Sequence, residues 1–281
     1  MEISPRAIHH LNCGSMCPRG ARLIAGQGKT AVLVCHCLLI EGAGELVLVD
    51  TGFGLDDART PRQLGRVFNA LGRPQLDAAR TAISQIRALG LDPRDVRHIL
   101  LTHLDLDHAG GLPDFPHADV HLLGRELAAA SKPRWNERPR YVAAHWSHGP
   151  RWVQHEARGE QWFGFDSVRP LPNSDDEILL VPLPGHTFGH TGVAIRRSDR
   201  WLLHCGDAYF HHGLVQTPPH CPVGLRLVEA FDEVDRAARR HNIERLRELA
   251  LAHSGEVELI CSHDAATLAR YAEPAGVASA A

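Results

Sequence analysis

Ile99-Leu100-Leu101-Thr102-His103-Leu104-Asp105-Leu106-Asp107-His108-Ala109-Gly110-Gly111 is the stretch from which the rest of the chain can be read. An apolar run leads into four groups able to ligate a metal, His103, Asp105, Asp107 and His108, and Gly110-Gly111 then lets the backbone turn sharply. The run reads as a buried strand, so the ligands fall at its C-terminal end. Were the strand to continue, alternation would send His103, Asp105 and Asp107 to one side, while a loop would let His108 approach a second ion from another direction. A solvated turn rich in His and Asp is the plain alternative. It weakens as further ligands turn up downstream.

Composition limits the other possibilities. The 281 residues, 44% of them hydrophobic, suffice for one large core, and we read residues 1–281 as a single domain. A net charge of −3 and a pI near 6.7 offer no general attraction to nucleic acid or to an anionic membrane. Seven cysteines follow no repeating spacing, and Met1-Glu2-Ile3-Ser4-Pro5-Arg6 contains no apolar run of the signal-peptide kind. These features point to the cytoplasm, and no window is long and apolar enough for a membrane span. The partner expected is a small-molecule substrate.

Along the chain, alternation and turn residues predict strands over 7–11, 22–25, 31–40 and 45–49. Helical spacing predicts a helix over 76–89 that delivers a strand over 98–102. Further strands are expected over 120–123, 177–183, 193–195, 201–203 and 259–261. The longest helical pattern, 225–252, is expected to break near Asn242 and to carry Arg236, Arg239 and Arg240 on a solvated face. Residues 131–165 form a Trp-, Arg- and His-rich excursion that includes Trp135, Arg140, His145 and Trp146. We expect it to pack on the main domain as a lid or pocket wall.

Polar residues recur at strand ends: Asp50, the His103 to His108 cluster, His190, Asp207 and His263. In layered α/β folds strand ends share one rim, so the repetition implies that one site collects them. With these residues in place the chain resembles the metallo-β-lactamase superfamily, most closely the N-acyl homoserine lactonase branch. The matching pieces are Leu48-Val49-Asp50-Thr51-Gly52, Thr102 to Gly111, Pro184-Gly185-His186-Thr187-Phe188-Gly189-His190, Gly206-Asp207 and Ser262-His263. The resemblance implies an α/β fold, a four-layer αβ/βα sandwich with a two-metal site along one edge. It assigns one ion to His103, Asp105 and His190, the other to Asp107, His108 and His263, and a bridging role to Asp207. The family uses the second histidine of the Pro-Gly-His segment, which selects His190 and leaves His186 outside the ligand set. Asp50 matches the acid that supports the site from behind.

The chain departs from the family at Asp105, where most relatives carry histidine. Two divalent ions and a hydroxide balanced against Asp105, Asp107 and Asp207 make the centre formally neutral, which favours harder metals than zinc, such as iron, manganese or cobalt. Zinc remains the family's usual ion. The chemistry implied is hydrolysis of a small ester, lactone or thioester by a metal-bridging hydroxide, with Asp107 accepting a proton and Tyr209 donating to the oxyanion. Lactonases of the family place their tyrosine one residue further on, where this chain has Phe210. Two other readings share the ligands: a mononuclear non-haem iron oxygenase or redox protein, and a metal-binding protein without catalysis.

Overall fold

Leu38 and Ile40 alternate with Cys37 and Leu39 along one strand, and all four are buried, so that strand has to be covered on both faces. The computed structural model describes residues 7–18, 20, 31–42, 44–156, 160–171 and 177–271, and it meets the demand with stacked layers. Strands β1 (Ile8–Met16), β2 (Leu33–Glu41), β3 (Leu46–Val49), β4 (Pro74–Gln75), β5 (Val96–Leu100), β6 (Asp119–Leu123) and β7 (Arg151–His155) make one sheet. Their order is β4-β1-β2-β3-β5-β6-β7. After a hairpin of β8 (Glu160–Trp162) and β9 (Phe165–Ser167), the strands β10 (Ile178–Pro182), β11 (Thr191–Arg196), β12 (Trp201–His204) and β13 (Val257–Ile260) pair in sequence order as the second sheet. Among the described residues the helices are α1 (Leu55–Arg59), α2 (Arg66–Leu71), α3 (Ala82–Ala88), α4 (Leu106–Ala109), α5 (Gly124–Ser131), α6 (Val223–Asp232), α7 (Arg236–Ala252) and α8 (Ala265–Ala269).

The inner faces meet through Leu38, Ile40, Val47 and Leu100 of the first sheet and Leu180, Val193, Leu202 and Ile260 of the second. Ile83 and Ile86 of α3 cover the outer face of the first sheet, and Leu246 and Leu249 of α7 that of the second. This is the expected α/β four-layer sandwich of the metallo-β-lactamase fold. Each aliphatic side chain so enclosed contributes about 2 kcal/mol. Since both strand faces are apolar, hydrophobic alternation alone does not fix the register. The polar residues at the strand ends do, because a slip by one place would drag Asp50 or His103 into the sheet core.

Several elements differ from the sequence reading. The helix expected over 76–89 is regular only from Ala82, because Asp77 takes the Ala79 amide at 2.9 Å and holds Ala78–Arg80 as a separate tight turn. The long helical pattern is two helices, and the break falls between Asp232 and Arg236 instead of at Asn242. There Val234 and Asp235 both donate to the Gly185 carbonyl, at 2.9 and 3.0 Å, and the Asp235 carboxylate caps Ala238 at 3.0 Å. Asn242 lies within α7 and donates to the Pro184 carbonyl at 2.7 Å. Arg239 is not on a solvated face: it is buried, 3.1 Å from Glu229. The strand expected over 22–25 lies outside the described residues.

The excursion contributes β7 to the first sheet, and its Tyr141, Trp146 and Trp152 pack against that sheet's outer core. On the same sheet His98 of β5, His121 of β6 and His155 of β7 form a ladder, with ring nitrogens 3.1 Å apart at the first step and 3.0 Å at the second. Burial, then the two neighbouring rings, holds His121 down to about 3. The folded protein therefore keeps it neutral, while an unfolded chain takes up the proton below about 6.5. Stability from this group is lost as pH falls below that value, by about 2 kcal/mol at pH 5. Urea unfolding of metal-free protein should show a smaller loss between pH 7 and pH 5 for His121→Gln than for the natural sequence. Equal losses would contradict this role for the ladder.

Candidate metal centre

The strands end on one rim, and each end delivers a polar side chain. Asp50, at the end of β3 with φ +53°, accepts from the Thr102 amide and hydroxyl, both at 2.8 Å, and from His108 Nδ1 at 2.9 Å. With its hydroxyl proton committed to Asp50, the Thr102 oxygen accepts from His103 Nδ1 at 2.9 Å. His263, after β13, donates from Nδ1 to the Val34 carbonyl at 2.8 Å. With Nδ1 engaged in each case, His103, His108 and His263 all turn Nε2 toward the same space, where it becomes a ligand once its proton is displaced.

The carboxylates lie in that space. Asp105 Oδ2 is 3.5 Å from His103 Nε2 and 3.0 Å from His186 Nε2, and Asp207 Oδ2 is 3.8 and 3.5 Å from the same two nitrogens. On the other side Asp107 Oδ2 is 3.8 Å from His108 Nε2 and 3.5 Å from His263 Nε2. Asp207 faces these rings too, with Oδ1 3.4 Å from His108 and Oδ2 3.0 Å from His263. A tetrahedral ion with bonds of about 2.05 Å sets its ligand atoms about 3.3 Å apart, so both groups have the spacing of a coordination shell. At 3.0 Å His186 Nε2 is hydrogen-bonded to Asp105 and His263 Nε2 to Asp207, so a proton bridges each of these gaps here and a bound metal ion would take its place. His103 Nε2, His108 Nε2, Asp105 Oδ1 and Asp207 Oδ1 are buried with no hydrogen-bond partner. The negative field acts on the imidazoles: against burial, Asp207 and then Asp107 push His263 up to about 9. The residues present therefore fit a pair of divalent ions.

Two expected site residues offer no free atom to this space. His190 donates from Nδ1 to the Leu183 carbonyl at 2.9 Å and accepts the Asp207 amide on Nε2 at 2.8 Å, so neither nitrogen is free. Burial first, then His103 and His186, keeps this ring well below its usual range, hence neutral. Its work is to brace the turn at Gly206 (φ +53°), where a Cβ would come 2.6 Å from His190 Nε2. His186, which the sequence reading leaves outside the ligand set, faces Asp105 and Asp207 where His190 was expected. Tyr209 is also misplaced by the sequence reading, since it is buried among Cys205, Val215 and Leu246 in the outer core of the second sheet. Phe210 faces the centre instead, its ring centroid 4.8 Å from that of His263.

Sequence reasoning missed two further residues. Arg140 brings one guanidinium nitrogen to 3.5 Å from Asp105 Oδ2 and 3.1 Å from the His186 carbonyl, and holds Asp232 with the other at 2.7 Å. Burial would raise Asp105, but Arg140 and then His103 hold it well below the usual carboxylate range. Glu126 of α5 is fully buried and accepts from the Leu104 amide (3.0 Å), the Thr187 hydroxyl (2.7 Å) and the Gly189 amide (3.0 Å), tying both ligand loops together. The sequence marks Arg140 only as one of many arginines in the excursion expected to wall the pocket, and Glu126 is an acid in an ordinary helix.

An apolar cluster borders the centre, including Phe53, Leu64, Leu106 and Phe210 with the partly buried Phe68 and Val142. A further group, His211, His212 and His220, lies on the loop beyond Phe210, and there His211 Nδ1 is already taken by the Gly213 amide at 3.0 Å.

The chain is similar to known proteins. The family model described as Metallo-beta-lactamase superfamily matches residues 30–252. A probable metallo-hydrolase of Mycobacterium tuberculosis is 42% identical over 261 residues, covering 92% of this chain and 81% of that protein. The N-acyl homoserine lactonase AttM of Rhizobium johnstonii is 30% identical over 188 residues, 66% of this chain and 68% of that one. Among solved structures, an N-acyl homoserine lactone hydrolase with N-hexanoyl-L-homoserine bound at its catalytic metal center has a TM-score of 0.70 at 19% identity. That alignment covers 96% of this chain and 97% of the other, and the likeness carries the fold.

The positions of the two histidines lead to a direct comparison. His186→Ala should lower metal affinity on the Asp105 side by at least tenfold, while His190→Gln should keep that affinity and instead lower the melting temperature. Competition titrations with a chromophoric chelator check the first and thermal unfolding the second. The reverse outcome would restore His190 as the ligand.

Proposed function

The chain belongs to the metallo-β-lactamase superfamily, and with it to the metal-dependent hydrolases; within that class we propose a dinuclear enzyme that hydrolyses a small ester, lactone or thioester. The observation that carries the proposal is Asp207, whose carboxylate faces His103 and His186 on one side and His108 and His263 on the other. In this reading His103, Asp105 and His186 hold one ion, Asp107, His108 and His263 hold the second, and Asp207 is shared.

When bound, the two ions supply a hydroxide nucleophile at neutral pH and polarise the scissile carbonyl. The remaining work falls to side chains. Asp107, the most exposed of these carboxylates at 8%, takes the proton shed by the nucleophile. Asp50 and the Val34 carbonyl keep His108 and His263 in the tautomer that faces inward. Leu106, Phe210 and their apolar neighbours exclude water and receive the acyl part of the substrate. Tyr209, turned into the core, takes no part.

Arg140 changes the charge count made from the sequence. Asp105 adds a negative charge relative to relatives with histidine, and the guanidinium 3.5 Å away adds a positive one. The argument for a harder metal then loses its force, and zinc fits this centre as well as iron, manganese or cobalt.

Three measurements test the proposal. Metal-replete protein should contain two ions per chain and hydrolyse members of an ester, lactone and thioester panel, with activity abolished by chelation and regained on metal return. Asp207→Asn should weaken both ions together, as followed by metal analysis after dialysis; loss of one ion alone would contradict the shared carboxylate. Asp105→His should recover only part of the affinity lost in Asp105→Ala, because Arg140 would then face a cation unbalanced. The double variant Asp105→His/Arg140→Met should recover more, by about tenfold in competition titrations. A double variant no better than the single one would remove Arg140 from the charge balance.

A further inference from the structure

The stretch from Arg59 to Arg80 carries five arginines and one acidic residue, Asp77, in a chain whose net charge is −3. Arg59 pairs with Asp56 at 3.4 Å on the surface. Arg62, Arg66, Arg73 and Arg80 are exposed, and none makes an ion pair with a described carboxylate. Solvated arginines are ordinary on a protein surface, but here the charge is segregated onto one segment and not balanced within it.

That segment is also a wall of the site. Leu64 and Phe68 point inward from the turn Pro61–Leu64 and from α2, into the apolar cluster that holds Leu106 and Phe210. The side chain of Gln63 donates to Asp57 at 2.8 Å, and Asp57 abuts Gly110 just beyond the ligand helix α4, where a Cβ would meet its Oδ2 at 2.4 Å. Arg62 and Arg66 are exposed on the same turn and helix that send Leu64 and Phe68 into this cluster. Between them, with Pro61, Asn69 and Ala70, is an open groove of about 470 Å³. A second depression, of about 370 Å³, lies beside Arg80 and includes Gln75 and Asp77.

We propose that this arginine strip binds the phosphates of the substrate's leaving group, so that the substrate is an acyl thioester on a phosphorylated nucleotide carrier of the coenzyme A kind. This rests on the hydrolase reading above and gives it a substrate class. The acyl chain lies in the apolar cluster, the thioester carbonyl at the metal centre, and the phosphates on Arg62 and Arg66, whose planar guanidinium groups suit bidentate phosphate contacts. In the reaction the oxygen of water forms the new C–O bond and the C–S bond breaks. The proton shed by water passes through Asp107 to the departing thiolate, leaving a carboxylic acid and a thiol.

The test compares hexanoyl-coenzyme A with the hexanoyl thioester of N-acetylcysteamine, which has the same acyl group and no phosphate. The double variant Arg62→Gln/Arg66→Gln should raise KM for the coenzyme A ester at least tenfold, leave kcat nearly unchanged, and leave kcat/KM for the short thioester within twofold. Adenosine 3′,5′-bisphosphate should bind the natural protein in calorimetry and lose at least tenfold in affinity in the variant. Equal KM for the two thioesters, with turnover intact, would overturn the phosphate site while leaving the hydrolase reading in place. Bisphosphate binding without turnover of any ester would keep the phosphate site and overturn that reading instead. Strip-dependent binding to vesicles rich in phosphatidylserine, with no bisphosphate binding, would assign the strip to a membrane surface and overturn the proposal.

Discussion

Three carboxylates, Asp105, Asp107 and Asp207, lie within 8% exposure of complete burial and face imidazole nitrogens from two sides. Such a concentration of negative charge away from water is unstable unless cations share the space. Much of the surrounding structure answers to that demand. Asp50 orients His108 and, through Thr102, His103, while backbone carbonyls orient His263 and the bracing His190. Arg140 offsets Asp105 from outside the ligand set. The sandwich holds all of these at one rim because its strands, apolar on both faces, cannot slide without burying a polar end.

The loop that carries His186 and His190 shows how strongly the scaffold constrains the centre. It is pinned by Glu126 through Thr187 and Gly189, by α7 through Asn242, and by the break between α6 and α7 through the Gly185 carbonyl. Gly189 has no room for a side chain, since a Cβ there would come within 2.3 Å of the Glu126 backbone. With the loop held on three sides, which ring enters the site is decided by backbone contacts. His190 satisfies both nitrogens on the main chain; His186 is left facing Asp105.

Much of this was legible in the sequence. The double-sided burial of the central strands appears as continuous apolar runs, and the strand-end acids and histidines mark the rim. What failed depended on direction and not on residue type. His186 and His190 are four residues apart in the same motif, and what distinguishes them is the pair of main-chain hydrogen bonds that His190 makes with the Leu183 carbonyl and the Asp207 amide. Tyr209 and Phe210 are neighbours on a turn, so one must face the core when the other faces the site. Arg140 approaches Asp105 from thirty-five positions further along the chain, a contact with no periodic signature. The helix break at Asp235 was signalled by a capping residue, but the helical spacing on either side concealed it.

The central claim is that two ions share Asp207, with His186 as a ligand and His190 as a support. A crystal structure of metal-loaded protein, with anomalous data collected on both sides of the absorption edge of the bound metal, tests it most directly. Two anomalous peaks are expected, one bonded to His103, Asp105 and His186, the other to Asp107, His108 and His263, and both to Asp207. A single peak, or a peak bonded to His190 Nε2 in place of His186, would contradict it.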